Sequence, residues 1–175
     1  TVIQALLKQS VGFENHIQLI LVNDGSSDKT GEICDEYAAK YPENIIVLHQ
    51  DHQGVAAARN AGIEVAGGEL FYFLDSDDKI PTTTLLRVKE FACAHNDVDV
   101  IAIPGQFYGA LKDAFPVNAK CAKKDVVIDL LKAPTTLQTI CATTFIRREV
   151  LGTLRFGTLP IAFEEANLIQ RILLK

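Results

Sequence analysis

The chain has 175 residues and a formal net charge of −5, with 48% hydrophobic and 22% charged residues. This balance is typical of a globular protein with a buried core and not of a disordered chain. The acidic charge argues against nucleic acid as a partner, because a phosphate backbone calls for clustered Lys and Arg. The longest apolar runs, over 17–22 and 70–74, are too short to span a bilayer.

Apolar runs alternate with amphipathic stretches along the first part of the chain. An apolar stripe of Val2, Ile3, Leu6 and Leu7 predicts a short helix at the start. The patterns that follow predict strands over 17–23, 45–49, 69–74 and 98–103, and helices over 28–40, 55–66 and 82–95. Strands that alternate with helices at this spacing predict an α/β fold, with a mostly parallel sheet and helices on both of its faces.

Two of these helices have an apolar face that we expect to lie against the sheet. Asp28 is expected to cap the helix over 28–40. The inner face of that helix is predicted to consist of Ile33, Tyr37 and Tyr41, with Cys34 and Ala38 beside them. The inner face of the helix over 82–95 is predicted to consist of Leu85, Val88 and Ala92.

The alternation of elements weakens after about Gln106. We expect a helix near 125–132, a strand near 139–145 and a final helix from about Glu165. The apolar stripe of that final helix consists of Leu168, Ile169, Ile172 and Leu173. Because this stripe runs into the last residue, and because no element precedes the first helix, we expect the natural protein to continue beyond both ends.

The four cysteines are scattered, with no CxxC pair and no histidine at the spacing of a zinc ligand. This pattern predicts free thiols in a reducing compartment, and therefore a cytoplasmic protein. The cysteines are Cys34, Cys93, Cys121 and Cys141.

Three carboxylates follow the strand predicted over 69–74, namely Asp75, Asp77 and Asp78. Their mutual repulsion disfavours ionisation unless a cation or solvent relieves it. Hard oxygen ligands at this density suit Mg²⁺ or Mn²⁺ bridged to substrate phosphates. The alternative is a hydrophilic turn in which Asp78 caps a helix. A calcium EF-hand is excluded, because the sixth position of the loop is Ile80 where glycine is required.

A second polar loop, over 23–28, follows the strand predicted over 17–23. In an open α/β sheet, ligands bind where loops leave the carboxyl ends of the strands. The Asp24 carboxylate could therefore accept a hydrogen bond from a base or a ribose hydroxyl, and the alternative is a turn that caps a helix. Neither GxGxxG nor GxxxxGK[ST] is present, so the sequence does not support a dinucleotide cofactor or a P-loop.

Three segments in this order resemble the family 2 glycosyltransferases, which have the GT-A fold. They are VNDGSSDKT (22–30), GVAAARNAGIEVAGGE (54–69) and FLDSDD (73–78). The resemblance covers residues 1–104 well and the remainder loosely. It implies a Rossmann-like α/β domain over 1–175, truncated at both ends, with a nucleotide-sugar-binding half over 1–104 and an acceptor-side half over 105–175.

The resemblance also implies roles for individual residues. Asp24 and Ser26 correspond to the loop that contacts the nucleotide, and Arg59 to a basic residue near the ribose and diphosphate of the donor. Asp75, Ser76 and Asp77 correspond to the DxD-type motif. Asp77 and Asp78 are then expected to hold Mg²⁺ or Mn²⁺. For Arg59 the alternative is a solvated arginine on a helix surface.

An acidic pair near the end of the chain, Glu164 and Glu165, resembles the pair whose second member is the catalytic base of the family. The family usually has Asp where this chain has Glu165, so either glutamate could serve. The alternative is a glutamate pair that stabilises a helix start through the helix dipole. The implied reaction is a single displacement that inverts the anomeric configuration and needs no covalent nucleophile.

The implied partners are a nucleotide-sugar, in the first place a UDP-sugar, and a glycan or lipid-linked acceptor. The family suggests polysaccharide, teichoic-acid or glycolipid assembly in the cytoplasm, peripherally at the inner face of the membrane through parts outside this chain. The family usually opens with a strand that ends in a Pro-x-Tyr-Asn-like loop, which has no match here. The rival functions are a sugar-phosphate nucleotidyltransferase and a non-catalytic nucleotide-sugar-binding module of a larger polymer-building protein.

Overall fold

The computed structural model describes residues 1–105, 125–129, 132, 143–157, 168 and 172. Within them the helices are α1 (Val2–Leu7), α2 (Phe13–His16), α3 (Thr30–Lys40), α4 (Val55–Val65), α5 (Thr84–Ala94) and α6 (Arg148–Leu151). The strands are β1 (Leu19–Asp24), β2 (Ile45–Gln50), β3 (Leu70–Tyr72), β4 (Val100–Ala102) and β5 (Thr144–Arg147). Each helix and strand predicted before Gln106 is present, with limits within two residues of the predicted ones.

The short helix α1 is stabilised by hydrogen bonds at its start and just after its end. A capping box joins Thr1 and Gln4 at its start. Just after its end lies the buried side chain of Gln9, which donates to the carbonyl of Pro81 at 2.9 Å and accepts from the Leu85 amide at 3.2 Å. Since Pro81 and Leu85 flank the start of α5, this buried amide positions the chain that leaves residues 75–78.

β1 and β2 form a parallel pair connected through α3, with Leu19 opposite Ile45 at one end and Asp24 opposite Gln50 at the other. A parallel pair requires such a crossover, because the chain must return to the starting edge before the second strand. The pairing brings the carboxyl ends of both strands to the same edge of the sheet. Asp24 therefore begins its loop directly beside the end of β2.

The inner face of α3 differs from the predicted one. Cys34 is 7% exposed, whereas Ile33 is 43% exposed, so the prediction that Ile33 faces the sheet is wrong. Tyr37 and Ala38 are half-buried, and adjacent residues on a helix point about 100° apart. The face that packs on β1 and β2 thus centres on Cys34. Burial raises the pKa of the Cys34 thiol above its usual value.

β3 and β4 lie on either side of β5, and each is antiparallel to it, so that β3 and β4 run in the same direction. Phe71 pairs with Ile146, and Ile101 pairs with Phe145. The strand predicted near 139–145 is thus found at Thr144–Arg147, and the part of the prediction over 139–142 lies outside the described residues.

The predicted helix near 125–132 is wrong for its described part, since residues 125–129 have no regular secondary structure. Val126, Val127 and Ile128 are consecutive β-branched residues, which lose side-chain freedom in a helix. Val127 is exposed, and Asp125 forms an ion pair of 3.5 Å with Arg87 on α5.

The largest buried apolar cluster joins residues from both halves of the chain. Its members are Ile63, Phe71, Ile146, Leu151, Leu154, Phe156, Leu168 and Ile172. Leu168 and Ile172 are helical and buried, which confirms two positions of the predicted C-terminal stripe. The other two, Ile169 and Leu173, lie outside the described residues.

Two consecutive arginines, one at the end of β5 and one at the start of α6, bind the ends of two different helices. Arg147 donates to the carbonyls of Val98, Ala92 and His95 at 2.7–2.9 Å, the last two at the end of α5. Arg148 donates to the carbonyls of Ala66 at 2.6 Å and Gly68 at 2.8 Å, just after α4. A cation at a helix C-terminus satisfies the last carbonyls and opposes the helix dipole. The two residues thereby fix the ends of α4 and α5.

Cys34 and Cys93 are free thiols, as predicted, while Cys121 and Cys141 lie outside the described residues. Within the part of the chain that the structure describes, no helix combines the length and the apolar character needed to cross a membrane.

Candidate functional site

Asp24, at the end of β1, binds the neighbouring strand and the start of α4. Its Oδ1 accepts from the Gln50 side chain at 2.7 Å and the Gln53 amide at 2.8 Å, and its Oδ2 accepts from the Gly54 amide at 2.8 Å. The amide of Gln53 and then the other donors hold the pKa of the Asp24 carboxyl below its usual value. An ionised carboxylate therefore lies at the carboxyl edge of the β1–β2 pair, where sequence reasoning placed a ligand contact.

The loop over 23–28 is shaped by its own side chains. Asn23 Oδ1 accepts from the Ser26 amide at 3.0 Å, and Asp28 Oδ1 accepts from the Thr30 amide at 2.9 Å at the start of α3. Gly25 has φ +74, and a Cβ there would lie 2.8 Å from the backbone nitrogen of His52. The loop thus requires glycine at this position, and it leaves Ser26 exposed at its tip.

A histidine supports the same loop from the side of β2. Because Asn23 Oδ1 accepts from Ser26, its Nδ2 donates to His49 Nδ1 at 3.1 Å. Nδ1 is then the acceptor nitrogen, so Nε2 carries the proton and donates to Asp35 on α3 at 3.0 Å. The sequence did not single out His49, whose role depends on the side-by-side ends of β1 and β2.

The acidic turn, residues 75–78, follows β3 after two intervening residues. The Asp78 amide donates to the Asp75 carbonyl at 3.1 Å, and the Asp75 amide donates to Asp78 Oδ2 at 3.3 Å. These reciprocal bonds place Ser76 and Asp77 at the two central positions of the turn, both exposed. Asp78 stabilises its own turn and is not the helix cap that the alternative interpretation expected, since the N-cap of α5 is Thr83.

Arg59 joins α4 to the acidic turn. Its Nη2 donates to Asp75 Oδ1 at 3.1 Å, and its guanidinium carbon lies 5.4 Å from the centre of the Phe156 ring. The Arg59 side chain is only 10% exposed. The alternative of a solvated helix arginine is therefore wrong, and the guanidinium is held in a defined place beside an exposed carboxylate.

Asn60, the next residue on α4, was missed by sequence reasoning. Its Nδ2 donates to the Phe156 carbonyl at 3.0 Å, and its Oδ1 accepts from the Phe156 amide at 2.8 Å. Arg59 and Asn60 thus bind the same residue, one through the ring and the other through the main chain. An asparagine inside a helix is a weak helix former and often has a specific partner, but that partner is distant in sequence.

The structure brings Arg59 and Asp75 into contact and connects Asp24 to the start of the same helix, α4. Glu164 and Glu165 lie outside the described residues. Among residues 1–105 and the shorter described stretches, no group of three or more His, Cys, Asp or Glu is arranged to hold a metal ion. The carboxylates of Asp77 and Asp78 are by their chemistry donors of the kind that suits Mg²⁺ or Mn²⁺, which often binds one or two carboxylates and takes its other ligands from phosphates and water.

Comparison with known proteins extends these observations. The chain is 39% identical over 172 residues to GgaB of Bacillus subtilis (strain 168), a minor teichoic acid biosynthesis protein. The match covers 98% of this chain and 19% of GgaB. The structure of this chain resembles the crystal structure of S. aureus TarS 1-349 in complex with UDP-GlcNAc, with a TM-score of 0.81. The two are 23% identical, and the match covers 97% of this chain and 48% of that chain.

A further structural neighbour is the mannosyltransferase PcManGT from Pyrobaculum calidifontis in complex with GDP-Man and Mn²⁺, with a TM-score of 0.68 and 16% identity over 98% of this chain and 46% of that chain. The chain thus spans about a fifth of GgaB and about half of each structural neighbour. These similarities confirm the predicted α/β fold of the GT-A type.

The family described as glycosyl transferase family 2 matches residues 1–155. This range includes the three segments on which the resemblance was based, the loop over 23–28, Arg59 and the acidic turn. The chain therefore belongs to glycosyl transferase family 2.

Proposed function

We propose that this chain carries the donor site of a metal-dependent, inverting glycosyltransferase that moves a sugar from a UDP-sugar to an acceptor hydroxyl in teichoic-acid assembly. The observation that carries the proposal is the largely buried Arg59, paired with Asp75 at the edge of an exposed acidic turn. A fixed guanidinium beside carboxylates is suited to a diphosphate that arrives with a divalent cation.

The nucleotide would bind between the loop over 23–28 and Arg59. The ionised Asp24 and the exposed Ser26 offer polar contacts to the nucleoside, and Arg59 offers paired N–H donors to the diphosphate. The cation–π contact with Phe156 and the hydrogen bond to Asp75 hold Arg59 before the ligand binds, so that little side-chain entropy is lost on binding. The UDP-GlcNAc complex of TarS supports a UDP-sugar as donor.

The acidic turn would provide the metal ligands. Asp77 is exposed at its centre, and Asp78 is held by the reciprocal bonds of the turn. When bound there, Mg²⁺ or Mn²⁺ would neutralise the charge that develops on the departing diphosphate. The Mn²⁺ bound to PcManGT supports this assignment.

The acceptor hydroxyl would be activated by Glu165 or Glu164. The carboxylate takes the hydroxyl proton while the oxygen attacks the anomeric carbon, and the bond to the diphosphate breaks on the opposite face. One such displacement inverts the configuration and leaves a nucleoside diphosphate, a glycosidic bond and a protonated glutamate. The buried Phe156, eight residues before Glu164, is bound to α4 by Asn60, which anchors the chain that leads to this pair.

The biological setting proposed here rests on the teichoic acid role named for GgaB. The acceptor would be a glycan or lipid-linked polymer, and the protein would act in the cytoplasm at the inner face of the membrane. A non-catalytic nucleotide-sugar-binding module is the second candidate, favoured by Glu165 in a place where the family usually has Asp.

The test is release of UDP from UDP-GlcNAc, with a teichoic-acid acceptor and Mn²⁺. We expect release that requires the metal, with activity lost in one of the two variants Glu165→Gln and Glu164→Gln and retained in the other. Calorimetry with UDP and Mn²⁺ separates the candidates. Binding without release, with each of several UDP-sugars, would favour the non-catalytic module. No binding with or without Mn²⁺ would contradict a donor site.

A further inference from the structure

One side chain at the candidate donor site has no role in the proposed function so far, the exposed imidazole of His52. His52 Nδ1 lies 2.9 Å from Asp24 Oδ2 and 3.2 Å from the Asp24 carbonyl oxygen. Because both of these atoms are acceptors, Nδ1 must carry a hydrogen and donate it. His52 is thus a further donor of hydrogen bonds to Asp24, beside Gln50, Gln53 and Gly54.

The four donors around the Asp24 carboxylate differ in how easily each could leave. Two are backbone amides at the start of α4, and the third is the half-buried side chain of Gln50, held on β2 opposite Asp24. The fourth, His52, has a side chain that is 79% exposed, while the Asp24 side chain is 17% exposed. Rotation of one exposed imidazole into solvent would free one acceptor position on Oδ2 without disturbing a strand or a helix.

The backbone of His52 is held where its side chain reaches Asp24. A Cβ at Gly25 would lie 2.8 Å from the His52 nitrogen and 3.1 Å from the His52 Cβ, so the two backbones are in close contact. The imidazole therefore lies beside Oδ2 of the Asp24 carboxylate, between it and solvent. A carboxylate has about four acceptor positions, and the four donors use them.

We propose that His52 occupies the exposed acceptor position of Asp24 in the ligand-free protein and is displaced from it when the donor nucleotide binds. The inference rests on the proposed function, in which Asp24 contacts the nucleotide. It makes His52 a competitor of the donor for one oxygen and not a ligand of the donor. Removal of the imidazole should then tighten nucleotide binding, whereas loss of a side chain that contacts the ligand would weaken it.

The experiment compares UDP binding by the wild-type chain and by His52→Ala, with Mn²⁺ present, by calorimetry. We expect the Kd for UDP to fall about two- to fivefold in the variant, the range that corresponds to the loss of one exposed hydrogen bond. The thermal midpoint should change little. His16→Ala removes another exposed imidazole, which contacts Lys89 far from Asp24 in sequence, and should leave the Kd unchanged.

A second measurement does not depend on a variant. Nitrogen NMR of the histidine side chains of the wild type should show the His52 Nδ1 signal losing its hydrogen-bonded character when UDP is added. An equal or higher Kd in His52→Ala, or a His52 signal unmoved by bound UDP, would overturn this inference alone. Failure of both chains to bind UDP would overturn the proposed function, and this inference with it.

Discussion

Charged side chains are arranged differently at the two ends of α4. Asp24 binds the amide just before its start, and Arg59 in its first half contacts the acidic turn over 75–78, in which Asp77 is exposed; this is the acidic end of α4. Just after its other end, Arg148 donates to backbone carbonyls, and the neighbouring Arg147 donates to carbonyls at the end of α5, so both charges are satisfied by the main chain. A charge that is satisfied by the main chain stabilises the protein, whereas the exposed carboxylates of the acidic turn are where the proposed function places a cation.

The largest expected effect is on catalysis at the acidic end. We expect Asp77→Ala to lower sugar transfer at least about 100-fold, because in the proposed function it removes a ligand of the metal that stabilises the leaving diphosphate. The thermal midpoint should stay close to that of the wild type, because Asp77 is exposed. Asp97→Ala, which removes an exposed carboxylate just beyond α5, should change neither quantity. Full activity in Asp77→Ala would refute the metal assignment.

The next largest effect is on the stability of the protein, through Arg147, the neighbour of Arg148. We expect Arg147→Ala to lower the free energy of unfolding by about 2–3 kcal/mol, because three carbonyls lose a charged donor. Urea denaturation measures this change. The matched control is Arg87→Ala, whose ion pair with Asp125 is largely exposed and should contribute less than about 1 kcal/mol. Equal losses of unfolding free energy in the two variants would show that the bonds from Arg147 to the three carbonyls stabilise the fold no more than an exposed ion pair does.

A smaller effect tests whether Arg59 belongs functionally to the acidic end. We expect Arg59→Lys to raise the Kd for UDP about tenfold, because lysine keeps the charge but loses the planar pair of donors. Arg87→Lys serves as the control for a change of the same kind on an exposed helix face. An unchanged Kd in Arg59→Lys would mean that Arg59 only anchors Phe156 and the acidic turn.

The smallest effect is a change in stability on substitution of Asp24, a carboxylate at the acidic end that accepts hydrogen bonds from the protein itself. Its folded pKa is lowered, first by the Gln53 amide, so its contribution to stability is present above the unfolded pKa of about 4 and is lost as the pH falls through the folded value. We expect Asp24→Asn to have a lower urea midpoint than the wild type at pH 7, with a gap that closes at acidic pH. A gap that is constant from pH 7 to acidic pH would contradict this account, and Asp97→Asn should show no gap.

Local patterns in the sequence predicted every helix and strand before Gln106 except the four-residue helix α2, because the others have an apolar run or period that marks them. The loop over 23–28 and the acidic turn were likewise placed at strand ends correctly. What could not be predicted depends on tertiary packing. The burial of Cys34 in place of Ile33 is set by how closely α3 approaches the sheet, which a helical period alone does not specify.

The contacts between distant residues were also beyond prediction. The bonds between Asn60 and Phe156 join residues 96 positions apart, and those from Arg147 reach back 49 to 55 positions to carbonyls that have no side-chain signature. The antiparallel direction of β5 is of the same kind, since a short apolar run looks alike in either direction. The roles of Glu164 and Glu165 remain predictions from the family resemblance.

The place of β5 between β3 and β4 has a consequence for how this protein is made. β3 and β4 are not hydrogen-bonded to each other, and each pairs with β5. β5 is synthesised more than forty residues after β4. Until Arg147 has been synthesised, the edges of β3 and β4 that pair with β5 lack that strand. The carbonyls at the end of α5 likewise lack the Arg147 side chain as a donor. Folding of this sheet should therefore be late and slow, because it depends on pairing over long sequence distances, and a nascent chain that stalls before β5 should be prone to aggregate.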